Sequence, residues 1–261
     1  MGHGDLLGAL KQGPCFGPFL KLPRPEVVDL LKLAGFDFVI VDMEHAQISE
    51  VEARTVIQAC AAAGLPAVVR LPDTSPGIVN RLLEVGAVGI QMPKVRTRAE
   101  AERLRAMMHF PPEGVRSIGV ANRWAQYGAV PTSRVVNEAN ARSVAVGMFE
   151  TREFADPMEE ILKPLDAVFI GPGDLSIEFG LPGDHPDVQA HIRKIEEAAR
   201  NTDTILGFAA STPQQAAALA ARSYRYIALS NDVAMLSGAA RGLVSALKGA
   251  RETAAEAASA P

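Results

Sequence analysis

The chain has 261 residues, of which 48% are hydrophobic and 21% charged, and its formal net charge is −4. This composition is that of an ordinary globular protein with one large core, and the net charge shows no excess of basic residues, so we expect no nucleic-acid partner. Cys15 and Cys60 have neither metal-ligand spacing nor a disulfide framework, which suits a reducing cytoplasm. Without a membrane-length apolar stretch or a signal-peptide pattern, we expect a cytoplasmic protein with no membrane partner.

Short β-rich runs alternate with amphipathic segments along the chain, which indicates parallel strands joined by crossover helices. Eight such runs match the strand number of a closed (β/α)8 barrel. A doubly wound open sheet is the alternative, but no Gly-x-Gly-x-x-Gly motif follows the first run. The predicted strands are, in chain order, "CFGPFL", "FDFVIVD", "PAVVRL", "AVGIQM", "SVAVGMF", "DAVFIG", "TILGFA" and "YRYIALS".

The segments between these runs carry helix signals, and three of them stop at a glycine (Gly35, Gly64 and Gly86). A Pro- and Gly-rich stretch at 109–133 interrupts the alternation, and loops of that length are usually functional. We predict one (β/α)8 barrel domain over residues 1–250 and a disordered tail over residues 251–261. The predicted helices include "EVVDLLKLAG", "SEVEARTVIQACAAAG", "GIVNRLLEVG" and "AEAERLRAMM".

Several predicted strands end in polar residues, and in a barrel of this type such residues meet at one rim, where the active site lies. Each residue alone could equally be solvated, cap a helix or form a surface salt bridge. Their joint occurrence indicates a functional site. The residues are Asp42, Glu44 and His45 after the second strand, Arg70 after the third, Glu150 after the fifth and Asp174 after the sixth.

These residue types favour chemistry on a 2-keto acid. Glu150 and Asp174 offer oxygen ligands without Cys or His beside them, a set that suits Mg²⁺ or Mn²⁺. The cation would polarise the keto oxygen, and Arg70 would add positive charge to the same oxygen. His45 would be the general base, because an imidazole can take up and release a proton, and Asp42 would orient it. No lysine is evident at a predicted strand end, and Lys94 after the fourth strand is the nearest, so we favour a metal-dependent enolate over a Schiff base.

The segment "FIGPGDLS" adds a further candidate element after the sixth strand. Glycines around Pro172 allow the backbone to approach a ligand, and a short helix beginning near Asp174 would present free amides. Such amides bind anions, so Gly173 and Asp174 are candidate contacts for the substrate carboxylate. An ordinary turn is the alternative interpretation.

Several segments of the chain together resemble one known family, the HpcH/HpaI family of class II 2-keto acid aldolases, relatives of 2,4-dihydroxyhept-2-ene-1,7-dioate aldolase. The resemblance covers about 16–247. It implies a (β/α)8 barrel whose last helix is exchanged between partners in a hexamer built as a trimer of dimers. The segments are "FDFVIVDMEHA", "VVRLP", "LLEVGAVGIQMPKVRTRAEAE", "FPPEGVRSIGVANRWAQYG", "FETRE", "FIGPGDLS" and "ALSNDVAML".

The resemblance also implies roles for the strand-end residues. Glu150 and Asp174 would bind Mg²⁺, Mn²⁺ or Co²⁺, Arg70 would contact the keto oxygen, and Asp42 with His45 would transfer protons. The expected function is reversible retro-aldol cleavage of a 4-hydroxy-2-keto acid to pyruvate and an aldehyde.

The chain departs from the family pattern on the acceptor side of the pocket. Arg123-Trp124-Ala125 stands where the family often has Arg-Ala-Ser, and Met148 stands where it commonly has Gln. We expect Arg123 and Trp124 to contact the substrate. The larger side chain and lost polar groups leave a citrate-forming condensation of oxaloacetate with acetyl-CoA as the alternative. A keto-acid sensor without turnover is a third, non-enzymatic possibility.

Overall fold

The computed structural model describes the backbone of residues 4–259 and the side chains of residues 4–251. Within this part of the chain, eight parallel strands pair in sequence order, and the first pairs with the last to close a barrel. The predicted (β/α)8 architecture is therefore confirmed. The strands are β1 (Cys15–Leu20), β2 (Val39–Asp42), β3 (Ala67–Arg70), β4 (Gly89–Met92), β5 (Val144–Phe149), β6 (Ala167–Ile170), β7 (Ile205–Ala210) and β8 (Tyr226–Asn231).

The helices surround the barrel, and their ends carry the signals expected from the sequence. Ser49 forms a capping box with Glu52, and Gly64 ends the same helix in the left-handed conformation at φ 66°. The helices are α1 (Leu6–Gln12), α2 (Pro25–Leu33), α3 (Glu50–Ala63), α4 (Pro76–Glu84), α5 (Arg98–Met108), α6 (Thr132–Arg142), α7 (Met158–Leu162), α8 (Pro172–Phe179), α9 (Pro186–Asn201), α10 (Pro213–Ala221) and α11 (Asp232–Ser259).

Alternate strand residues form two separate cores, because successive side chains of a strand point to opposite faces of the sheet. Val39 and Val41 belong to the larger core between the strands and the surrounding helices. Ile40 and Val68 belong to the smaller core inside the barrel. Both faces of β2 and β3 are therefore buried, which explains why these strands read as nearly continuous apolar runs.

Helix α1, which the sequence did not predict, closes the N-terminal end of the barrel. Its three leucines, Leu6, Leu7 and Leu10, are buried in the interior core together with Phe38 and Tyr226. Arg225, just before β8, donates a hydrogen bond of 2.7 Å to the carbonyl of Lys11. Helix α1 therefore covers this end of the barrel interior, and the carboxyl ends of the strands lie at the opposite end.

The last helix, α11, exposes several large apolar side chains to solvent. Leu236, Leu243 and Val244 have exposed fractions of 64%, 75% and 54%, which is unusual for large apolar side chains on one helix. Its main contacts with the barrel are with β1 and β8. Exchange of this helix with a partner subunit stays a prediction.

The C-terminal tail of residues 251–261 is helical as far as Ser259, so no end of secondary structure marks the predicted boundary at residue 250. Residues 260 and 261 lie outside the described part, and disorder of the tail stays a prediction. Among the described helices, none has the combination of length and apolar character that crossing a membrane requires.

Candidate active site

The polar residues predicted at strand ends lie at the open end of the barrel. Asp42 and Arg70 are the last residues of β2 and β3 and are register partners in the sheet. Glu150 directly follows β5. Asp174 lies in the first turn of α8, the helix that begins at Pro172 just after β6. Because the strands of this closed barrel are parallel, Glu150, Asp174 and the Arg70 guanidinium all lie at one rim.

Asp42 is the centre of a buried hydrogen-bonded network. Arg70 donates from Nε to Oδ1 at 3.0 Å and from Nη2 to Oδ2 at 2.7 Å, the two-pronged geometry that suits a guanidinium and a carboxylate. The backbone N–H groups of Glu44 and His45 donate to Oδ1 at 3.2 and 3.1 Å. Burial alone would raise the pKa of Asp42, but the hydrogen bonds from Arg70 and Lys21 outweigh it and hold that pKa well below its usual range.

Lys21 is a cation of this network that the sequence analysis missed. It directly follows β1, and its Nζ lies 2.8 Å from Asp42 Oδ2. The expectation that no lysine lies at a strand end was therefore wrong. The position of Lys21 in the sequence could have identified it. It is the first charged residue after "CFGPFL", just as Asp42 is the first after the apolar run of β2.

Arg70 is held on three sides, so its guanidinium has a defined orientation. Besides Asp42, it lies over the ring of Phe19 at 4.6 Å, a cation–π contact. Its Nη1 is 3.3 Å from Glu44 Oε2. That oxygen is buried and accepts no hydrogen bond from the described residues.

The His45 imidazole is placed differently from the predicted Asp42–His45 pair. Its backbone N–H bonds to Asp42, whereas its ring Nε2 lies 3.7 Å from Glu44 Oε2. The side chain is 53% exposed at the barrel mouth. Asp42 therefore fixes the backbone of His45, and Glu44 is the carboxylate beside the ring.

Glu150 is a buried carboxylate among other carboxylates. Burial is the main cause that raises the pKa of Glu150 to about 7, and the negative charges of Asp174 and Glu44 add to it. The Lys94 N–H and the charge of Arg70 lower this pKa, but by less. That N–H donates to Glu150 Oε1 at 3.0 Å. An acid in such surroundings is the kind of perturbed group that clusters at functional sites.

The surroundings of Glu150 fit a divalent cation. The negative charges of Asp174 and Glu44 raise the pKa of Glu150, so a positive ion beside these carboxylates would relieve their repulsion, and oxygen donors suit Mg²⁺ or Mn²⁺. The backbone also leaves room at this point, because a Cβ at Gly171 would lie 2.7 Å from Glu150 Oε2. Among the described side chains, no three His, Cys, Asp or Glu groups form a ready-made metal cluster. The donors thus fit an ion that takes part of its ligands from water or substrate.

The short helix predicted after the sixth strand is confirmed as α8. It begins at Pro172, and its N-cap, Gly171, supplies no side-chain cap. The Gly173 position is exposed, with open space where a Cβ would be. First-turn amides of this helix are thus available to an anion at the rim.

The loop that carries Arg123 and Trp124 lies beside α4. Arg116 donates from Nε to Asn80 Oδ1 at 2.9 Å, and the Trp124 N–H donates to the Glu84 carbonyl at 3.4 Å. These contacts anchor the loop against α4, on the outer side of the barrel. The substrate contacts predicted for Arg123 and Trp124 stay predictions.

A second buried polar pair lies inside the barrel, and the sequence analysis did not single it out. The Tyr226 hydroxyl donates to Gln91 Oε1 at 2.9 Å, while Gln91 Nε2 has no partner among the described residues. Gln91 pairs in register with Arg70 on β3. A lone amide in the apolar run "VGIQM" was the signal that could have identified it.

Comparison with known proteins gives a family match over most of the chain. Residues 16–239 match the model of the HpcH/HpaI aldolase/citrate lyase family. A hydroxypyruvate/pyruvate aldolase of Rhizorhabdus wittichii is 31% identical over 88% of this chain and 93% of its own. A 2-dehydro-3,6-dideoxy-6-sulfogluconate aldolase of Pseudomonas putida is 29% identical over 92% of this chain and 94% of its own.

Solved structures share the same architecture. An HpcH/HpaI aldolase of Desulfitobacterium hafniense superimposes with a TM-score of 0.86 at 27% identity, covering 91% of this chain and 94% of its own. The citrate synthase SbnG superimposes with a TM-score of 0.83 at 23% identity, covering 96% and 98%. At that identity the second likeness supports the fold alone.

Proposed function

This chain belongs to the HpcH/HpaI aldolase/citrate lyase family, and we propose that it is a metal-dependent class II aldolase. The proposed reaction is reversible cleavage of a 4-hydroxy-2-keto acid to pyruvate and an aldehyde. One observation carries this proposal. At one rim of the barrel, Glu150, whose pKa is raised, lies near Asp174, and the guanidinium of Arg70 is held in a fixed orientation by Asp42. Two relatives that are 31% and 33% identical are hydroxypyruvate/pyruvate aldolases, which supports the same reaction class.

Glu150 and Asp174 are the residues proposed to hold the cation. When bound, a divalent ion supplies Lewis-acid polarisation of the substrate keto oxygen. Arg70 has donors left beyond its two bonds to Asp42, and these can stabilise negative charge that develops on the same oxygen. Because Asp42 and Phe19 already fix the guanidinium, little reorganisation is needed during the reaction.

Proton transfer is assigned to His45. Its exposed imidazole at the barrel mouth can accept the proton of the substrate 4-hydroxyl. The C3–C4 bond then breaks, its electron pair passes to the keto oxygen as the enolate, and the aldehyde leaves. Protonation of C3 gives pyruvate. Asp42 contributes by fixing the backbone of His45 and the side chain of Arg70.

The substrate carboxylate is proposed to bind at the start of α8. Amides near Gly173 and Asp174 are available there, and the helix dipole favours an anion. Arg123 and Trp124 are proposed to reach a substrate of a neighbouring subunit, since their loop packs on the outer side of the barrel.

The proposed assembly is a homo-oligomer, and the family resemblance favours a hexamer. Support comes from the apolar residues exposed on α11 and from Val115 and Tyr127, which are 69% and 73% exposed on the long loop. The cytoplasm is the proposed location, because Cys15 and Cys60 are buried free thiols, as a reducing compartment permits.

A panel of 4-hydroxy-2-keto acids tests the proposal, with released pyruvate measured by a coupled lactate dehydrogenase assay. We expect pyruvate release that stops on chelation and returns with Mg²⁺ or Mn²⁺. The citrate-forming alternative instead predicts consumption of acetyl-CoA with oxaloacetate and no pyruvate release. Absence of both activities, with oxaloacetate binding retained, would indicate a sensor.

A further inference from the structure

Lys21 lies in the candidate site without a role in the proposed chemistry, and it is anchored at both its ends. Its Nζ is 2.8 Å from Asp42 Oδ2, the same oxygen that Arg70 Nη2 contacts at 2.7 Å. Its side chain is 24% exposed, so the ammonium lies at the edge of the buried network rather than in open solvent.

The backbone of Lys21 is held by Asp232, the first residue of α11. The buried Asp232 carboxylate accepts the N–H groups of Lys21 at 3.0 Å and Leu22 at 2.8 Å. It also accepts the N–H of Val233, in the first turn of α11, at 2.8 Å. One carboxylate therefore joins the chain after β1 to the start of the last helix.

We propose that Lys21 is a positioning residue for Arg70, and that Asp232 positions Lys21 in turn. This role rests on the proposed aldolase function. The contacts form a continuous relay from α11 through Asp232, Lys21 and Asp42 to the guanidinium of Arg70.

Charge gives the relay its effect. Without Lys21, Arg70 would face two carboxylates, Asp42 and Glu44, and these three side chains would formally carry one net negative charge that opposes an enolate oxygen. With Lys21 on Asp42, the four side chains are formally neutral overall, so the guanidinium keeps more of its attraction for negative charge on the substrate. An interaction that matters most where negative charge develops should appear in kcat rather than in KM.

Kinetics of Lys21→Met and Lys21→Arg test the first step of the relay. We expect Lys21→Met to lower kcat by about 10- to 100-fold, the size expected when a catalytic group is misplaced, with KM changed less than about threefold. Lys21→Arg keeps the charge and should recover most of kcat. A Lys21→Met variant with wild-type kcat, or with only KM raised, would overturn the positioning role.

Asp232→Ala tests the second step through a double-mutant cycle. We expect it to lower kcat by about tenfold, and the double variant with Lys21→Met to be no worse than Lys21→Met alone, since both act through one contact. Additive losses would overturn the link to α11. Asn231→Ala is the matched control, because it removes a cap of this helix, the 2.8 Å bond from the Ala234 N–H, without touching Lys21.

A crystal structure of Lys21→Met tests the relay even if the wild type proves inactive, a result that would refute the aldolase proposal separately. We expect Asp42 and the Arg70 guanidinium to shift by about 1 Å, the displacement that costs catalysis about 100-fold. An Arg70 guanidinium that keeps its wild-type position in this variant would contradict the positioning role, whatever the activity.

Discussion

Replacing Glu150 by glutamine should change the pH dependence of stability in a way that identifies a cation site. In the metal-free protein the pKa of Glu150 is about 7, against an ordinary value of 4.5. Because the folded state binds this proton more tightly than the unfolded chain, the free energy of unfolding falls as pH rises from 4.5 to about 7. The gap of about 2.5 pH units, at about 1.4 kcal/mol each, limits this loss to about 3 kcal/mol.

Glutamine has nearly the same shape as glutamate but does not titrate, so Glu150→Gln should lack this pH-dependent loss in the free energy of unfolding. Urea unfolding of both proteins in EDTA, at one fixed protein concentration, measures the difference. We expect the variant to match the wild type at pH 4.5 and to be more stable by up to about 3 kcal/mol at pH 7.5. Adding Mn²⁺ at about 100 times its Kd should then stabilise the wild type by about 2.7 kcal/mol and leave the variant unchanged.

Two results would refute this reasoning. A stability difference that does not vary with pH would mean that Glu150 titrates normally and that its carboxylate neighbours are not felt. Equal stabilisation of both proteins by Mn²⁺ would mean that the ion binds somewhere other than Glu150.

Three further perturbations address other parts of the site. His45→Ala should lower kcat by about 100- to 10,000-fold without weakening Mn²⁺ binding in calorimetry, and a large loss of Mn²⁺ affinity would make His45 a ligand instead. Gly171→Ala places a Cβ 2.7 Å from Glu150 Oε2 and should weaken Mn²⁺ binding at least about tenfold, unlike Gly238→Ala, where the space is open. Leu243→Glu should dissociate the oligomer in sedimentation experiments, since this leucine is 75% exposed on α11; an unchanged sedimentation coefficient would exclude it from the interface.

The barrel could be predicted from the sequence because its strands are buried on both faces and therefore stand out as apolar runs. The predicted run "CFGPFL" coincides with β1 (Cys15–Leu20), and the glycine stops at Gly35, Gly64 and Gly86 all have positive φ. The strand-end residues followed from the same pattern, since closing the barrel puts all carboxyl ends on one rim.

The rest depended on tertiary contacts that no local pattern reports. Helix α1 has seven residues, too few for a clear helical period, and it is stabilised by covering the barrel. Lys21 meets Asp42 only because β1 and β2 pair with Phe19 opposite Ile40, which sets where the chain after each strand lies. The raised pKa of Glu150 likewise depends on burial beside carboxylates from other strands.

Exchange of the methyl protons of pyruvate with D₂O, followed by proton NMR in the presence of Mg²⁺ or Mn²⁺, tests the central claim most directly. An aldolase of the proposed type must form the pyruvate enolate, so the methyl signal should disappear without any aldehyde present. Arg70→Ala should suppress this exchange, whereas Arg70→Lys should retain a little, because it keeps the charge but loses the planar fork that Asp42 orients. An unchanged methyl signal in the wild type, beside tight binding of oxaloacetate, would contradict the aldolase assignment.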